Sequence, residues 1–206
     1  IRDTIKKHKR IIFNGNGYND EWIEEATDVR GLLNLRSTPE ALTMYLTEKN
    51  IELFKIHHVY TEKEMSSRYE IMLENYVKTI KIEANVMIDM IYKQILPAVS
   101  AYTKALTETA LSKKALNTAL DCSYEEGAAA KISQLTGSAY QKLDALRAAV
   151  EKAEEITDAK ELAMFYKDEI LSAMATLRSD VDILESMTSA EYWPYPSYGE
   201  LLFGVR

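Results

Sequence analysis

Between Glu40 and Trp193 the chain carries only three residues that break helices: Pro97, Gly127 and Gly137. Inside a helix Gly costs about 1 kcal/mol and Pro about 3 kcal/mol relative to Ala. An interior so poor in both is built for helices well above average length. The remaining Gly and Pro residues lie in the two flanks, where they punctuate segments rich in aromatic side chains. The chain thus divides by composition into a long helix-forming block and two irregular ends.

Hydrophobic content of 47% and charged content of 28% fit an ordered chain that can bury a core. The formal net charge is −7. That balance argues against nucleic acid, whose phosphates demand a basic face, and against an anionic membrane surface. No apolar run approaches the ~20 residues that span a bilayer. With Cys122 as the sole cysteine, no internal disulfide can form, which fits a reducing compartment. The N-terminal stretch is charged and lacks a signal-peptide pattern. It opens with Ile, in a helical pattern already under way, and reads as a piece of a longer protein.

Local signals place the elements. Asn14-Gly15-Asn16-Gly17 predicts a tight turn with positive φ. Asn19 or Asp20 caps a helix that Gly31 ends. Thr38-Pro39 reads as N-cap and first helical residue, and Asn50-Ile51 as a break. Thr61 and Glu64 form a capping box. From there helical periodicity runs to about Leu120, with Ile80, Ala84, Met87, Ile91, Ile95, Ala98, Tyr102 and Leu106 as one apolar stripe. Pro97 should kink that helix. Asp121–Gly127 is the expected connection to a helix over 128–156, buried through Ile132, Leu135, Leu143, Leu146 and Val150. Asp158 and Glu161 open another helix that runs to about Met187. Pro194 and Pro196 argue against helix in the tail. Its aromatics, including Trp193, Tyr195, Tyr198 and Phe203, are too many for a solvated end and are the candidate packing or interface residues.

The expected fold is therefore all-α. It is an elongated bundle of long antiparallel helices, preceded by a smaller helical region and followed by an irregular aromatic tail. The expected boundaries are 1–60, 61–188 and 189–206.

No catalytic constellation emerges. His8, His57 and His58 form neither Glu-x-x-His nor H-E-x-x-H patterns, so no metal ligand set is named. The Asn-Gly-Asn-Gly turn follows Lys9 and Arg10 but lacks the lysine and the strand-to-helix setting of a phosphate loop. The Ala-rich stretch 139–163 could pair with another chain, although such a face more often packs within its own bundle.

HKRIIFNGNGYNDEW (8–22), RGLLNLRSTPEAL (30–42), SRYEIMLENYVKTIKIEANVMIDM (67–90), QILPAV (94–99) and EYWPYPSYGELLF (191–203) resemble the C-terminal third of type III glutamine synthetases. The match is weakest over about 110–165. The resemblance implies a cytoplasmic, homo-oligomeric parent that ligates ammonia to glutamate using ATP and Mg²⁺, with its catalytic motifs outside this chain. Residues 1–60 would then finish the catalytic domain, and the long helices would form an extension. The partners implied are the rest of the synthetase chain and other copies of the subunit. No catalytic, cofactor or metal residue carries over. The alternative is a helical interaction or regulatory module without enzymatic activity.

Overall fold

The computed structural model of the chain describes residues 1–204, and among these every regular element is helical. The chain divides into two compact units, Ile1–Met65 and Ser66–Arg206.

The first unit is made of short elements. Helix α1 spans Arg2–Lys7, α2 Asp20–Glu24, α3 Thr38–Tyr45 and α4 Glu48–Ile56. A π turn, Glu25–Val29, extends α2 and is ended by Gly31 at φ +63°. There the Leu32 N–H reaches back to the Ala26 carbonyl at 2.8 Å, which closes the helix end. Gly15 and Gly17 do not have positive φ, contrary to the turn expected of them. Gly15 serves close approach instead, because a Cβ there would lie 2.6 Å from the Phe13 ring.

The cap of α3 is Ser37 rather than Thr38. Glu40 stands three residues after Ser37, so their side chains and backbones can satisfy each other reciprocally, and both bonds are made. Likewise the break between α3 and α4 falls at Leu46-Thr47, not at Asn50-Ile51. Asn50 donates its amide to the Met44 carbonyl at 2.7 Å, sealing the end of α3 from within α4.

In the second unit three rods lie side by side. The first comprises α5 (Glu62–Met90), a π turn (Ile91–Ile95) and α6 (Leu96–Leu116). The second is α7 (Ser123–Ala153). The third joins α8 (Ala159–Phe165), a π turn (Tyr166–Ile170) and α9 (Leu171–Met187). The Thr61–Glu64 capping box starts α5, with Thr61 N–H to Glu64 Oε2 at 2.7 Å. Asp158 accepts from the Glu161 N–H at 2.8 Å and starts α8.

Contacts across the rods establish that neighbours run antiparallel. Lys81 pairs with Glu154, Arg147 sits over the Tyr92 ring, and Lys113 pairs with Glu125, so α7 numbers fall as those of the first rod rise. Ser138 bonds Asp180 and Lys142 bonds the Thr176 carbonyl, in the same sense. The connection between α6 and α7 is 117–122, shorter than expected. Asp121 Oδ1 accepts from the Ser123 N–H at 2.8 Å, so α7 starts at once and takes Gly127 inside it.

Every expected core residue of α7 is buried, and Ala129, Ala139 and Ala153 complete the stripe. The Ala-rich stretch thus packs within its own unit as far as Ala153. On the first rod the stripe departs from the expected one after Ile95: Val99 is fully buried while Ala98 is half-buried. The π turn explains the shift. Leu96 N–H bonds the Ile91 carbonyl, one residue further back than in an α-helix, and the extra residue rotates the downstream face. Pro97 follows immediately, where its missing N–H removes one rung of the ladder. The third rod repeats the device, with Leu171 N–H on the Tyr166 carbonyl.

One polar contact is buried in this interface. Asp180 Oδ2 accepts from Ser138 Oγ at 2.6 Å and lies 2.7 Å from Lys142 Nζ. Burial raises the Asp180 carboxyl, but hydrogen bonds from Lys142 and Ser138 outweigh it and hold the group below its ordinary value.

A Cβ at Gly127 or Gly137 would meet nothing within 4 Å. Gly127→Ala and Gly137→Ala should each stabilise the chain by up to about 1 kcal/mol, read from the urea midpoint. Because the Asp180 carboxyl is lowered on folding, its contribution is present above the unfolded value near ~4 and is lost as pH falls below it. Asp180→Asn should therefore destabilise at neutral pH and flatten the acid limb of stability against pH. An acid limb identical to wild type would refute that role.

Candidate functional site

Carboxylates and cations abound in this chain, but they are spread along helix faces as exposed pairs such as Lys78–Glu74, Lys93–Asp89 and Arg178–Asp182. Such pairs are worth a few tenths of a kcal/mol each and perform no chemistry. Among the described residues no three His, Cys, Asp or Glu side chains converge in a way that could hold a metal ion. Nor is any described helix long and apolar enough to cross a membrane.

The structure places the three histidines apart from such work. His8 lies in an exposed segment after α1. His57 and His58 end α4, and His58 adopts φ 52° as the left-handed residue of that terminus. The Val59 N–H bonds the Phe54 carbonyl at 2.9 Å across it, so helix termination accounts for the unusual backbone. Cys122 is buried beside the Ala110 carbonyl.

Aromatic side chains do assemble: besides a Tyr45–Phe54–Tyr60 row in the first unit, each unit has one aromatic assembly that ties separate segments together. In the first, Arg30 is the organising group. Its Nη1 donates to the Ile12 carbonyl at 2.7 Å and to the Arg10 carbonyl at 3.2 Å. Its Nε donates to Glu25 Oε1 at 2.9 Å. The guanidinium plane lies 4.9 Å from the Trp22 ring centre, and Trp22 stacks on Phe13 at 4.1 Å. A planar fork that bonds and stacks together is a task for Arg rather than Lys. It fixes the segment before the Asn-Gly-Asn-Gly turn against the helix after it. Sequence patterning missed Arg30, because its partners lie 5 to 20 residues away in the chain.

The second assembly docks the aromatic tail. Trp193 and Tyr195 are half-buried and pack against the helical core. Tyr192 lies against Tyr102 of α6, with ring centres 5.3 Å apart. The Tyr102 and Tyr124 hydroxyls share a hydrogen bond at 3.2 Å. That bond, with burial and the nearby Tyr124 and Tyr192, pushes the Tyr102 phenol up to about 12. Tyr102 belongs to the apolar stripe read from the sequence, but its pairing with Tyr124 and Tyr192 is set by residues distant in the chain.

Beyond Pro196 the chain turns helical again. Ser197 and Glu200 form a capping box that starts α10, Tyr198–Phe203. The prolines exclude helix only in their own stretch, and the box restarts it. The side chain of Tyr198 lies outside the described residues. Phe203 is 81% exposed, so it does not pack on this chain.

A phenol raised on folding stabilises fully below its unfolded value of about 10, and that stability is lost as pH rises through the folded one. Tyr102→Phe should therefore flatten the loss of stability between pH 10.0 and about 12. A denaturation series over that range, compared with wild type, checks the sign.

Comparison with known proteins adds a lineage to this geometry. Residues 1–114 match the family described as glutamine synthetase C-terminal domain. A glutamine synthetase of Butyrivibrio fibrisolvens is 39% identical over 206 residues, 100% of this chain and 29% of that protein. A type-3 glutamine synthetase of Dictyostelium discoideum is 36% identical, over 98% of this chain and 28% of that protein. A glutamine synthetase of Bacteroides fragilis is 29% identical over a similar span. The chain therefore spans under a third of the length of these curated relatives.

Proposed function

Since this chain belongs to the glutamine synthetase family, we propose that it is the helical C-terminal portion of such an enzyme, structural and interaction-bearing, without catalytic activity of its own. The match of residues 1–114 to the C-terminal domain of the family carries this reading. The geometry agrees with it. Buried positions are almost all apolar; of the buried polar groups Glu125, Asp180 and Thr188, the two carboxylates engage lysines across helix pairs and Thr188 bonds the Leu184 carbonyl of its own helix. The lysine contacts are arrangements that hold helices in register.

The whole enzyme, on this reading, ligates ammonia to glutamate at the expense of ATP, with Mg²⁺, through a γ-glutamyl phosphate. The described residues of this chain do not fit the metal, since no ligand cluster forms among them. Its nucleotide and metal sites belong to segments outside this chain. The role assigned to residues 1–60 is to complete the catalytic domain, and that of the long helices is to form an extension contacting other parts of a cytoplasmic homo-oligomer.

The purified 206-residue chain should show no γ-glutamyl transferase activity, and titration calorimetry with Mg-ATP should give no saturable heat. Turnover above the buffer rate, carried by the chain itself, would overturn the proposal.

A further inference from the structure

Charges in the first unit are segregated in a way that the rods do not share. Along the rods, Glu74 and Lys78, Asp89 and Lys93, Lys104 and Glu108, and Arg178 and Asp182 stand four residues apart, carry opposite signs and pair. In the first unit the same step joins like charges in two runs. Arg2, Lys6 and Arg10 form a basic row along α1 and the 3-10 turn Lys9–Ile11 that follows it, with Lys7 and Lys9 beside them and Asp3 as the sole acid. Asp20, Glu24 and Asp28 form an acidic row along α2 and its π turn, with Glu21 beside them. All six row residues are exposed, and none of their side chains enters an ion pair with a described residue. Like charges at this spacing repel one another within their own helix. Each row therefore costs its own element stability until opposite charge lies against it.

We propose that the basic row of one copy of this chain docks on the acidic row of a second copy, and reciprocally. Charge complementarity selects that occupant. The rows match in number and in step: each has three charges at intervals of four residues, or about 6 Å in helical backbone. A second copy also fits on net charge. At −7 overall, one copy repels another except where a basic segment faces it, and the stretch 2–10 is such a segment.

Within one copy no ion pair joins the two rows, although Arg30 ties their elements together through the Arg10 and Ile12 carbonyls. That clamp holds both rows on one scaffold, and a two-fold axis between copies makes both pairings at once. Exposed apolar side chains lie in the same two segments: Ile5, Ile11 and Ile12 with the basic row, Val29 and Leu33 just after the acidic one. They supply the burial that exposed ion pairs alone do not, while the charges set orientation and register. The inference rests on these charges and not on the proposed function, which the transferase assay tests separately.

The test uses the full chain. In about 0.01 M salt, at tens of micromolar, wild type should sediment at about twice 23.5 kDa. Raising the salt to about 1 M should weaken the dimer by about tenfold or more, because the screening length shrinks below the size of the rows. Arg2→Glu/Lys6→Glu/Arg10→Glu turns both rows acidic, and Asp20→Lys/Glu24→Lys/Asp28→Lys turns both basic. Each variant alone should be monomeric with an unchanged helical spectrum. Mixed in equal amounts they should form a heterodimer, since every contact is again between opposite rows. The salt series needs no variant and decides the matter if one fails to fold. A monomeric wild type at low salt, a dimer indifferent to salt, a reversed variant that still self-associates, or a mixture of folded variants that stays monomeric would each overturn the proposal.

Discussion

Everything in the second unit depends on the apolar stripe of α7. Ile132, Ala139, Leu143 and Leu146 on that helix have no solvent exposure, because rods pack against it from two sides. At 1.5 Å per residue the 31 residues of α7 extend about 46 Å, which sets the length over which its neighbours can bury theirs. Burial of the whole stripe at ~25 cal/mol per Å² outweighs what any surface ion pair supplies. The rods need α7 for burial, and the aromatic tail in turn needs the rods for a floor.

Much of this was legible in the chain before any coordinates. Periodicity locates α7 and the third rod because three- and four-residue apolar steps persist over long spans, where single misplacements average out. Capping chemistry was equally readable at Thr61 and Asp158, where the partner carboxylate or N–H is three residues away. What failed were features set by one extra hydrogen-bond register or by a neighbour distant in sequence. The π turns at Ile91–Ile95 and Tyr166–Ile170 leave no compositional mark, so periodicity alone carries the stripe through Ala98 instead of Val99. Ser37 and Thr38 are equivalent cap candidates until Glu40 is seen to stand three residues after Ser37.

The same distinction governs the two aromatic assemblies. The tail announced itself by composition, but Tyr102 and Tyr124, on which it settles, are single tyrosines on separate helices. Arg30 is similar: one arginine in an acidic stretch, whose bonds to Arg10, Ile12 and Glu25 exist only once the Asn-Gly-Asn-Gly segment has turned. The first assembly joins aromatic faces to a guanidinium bonded by backbone carbonyls and Glu25, and the second joins aromatic faces through a tyrosine hydroxyl pair. That fits a part of an enzyme that shapes and joins, and it explains why motif reading alone found no chemistry.

The paired π turns bear on how such a bundle tolerates changes in chain length. Each stores one surplus residue inside an otherwise regular rod, with its flanking core residues still seated: Ile91 and Ile95 in one, Tyr166 and Ile170 in the other. Deleting a single residue within either turn would let the ladder revert to α-helical spacing without moving the rod ends. Elsewhere in the same helices a one-residue deletion would rotate the downstream face by about 100°, a full step of the 3.6-residue turn, and expose the stripe. Within the rods, tolerance to single-residue deletions should thus be concentrated at these two short segments.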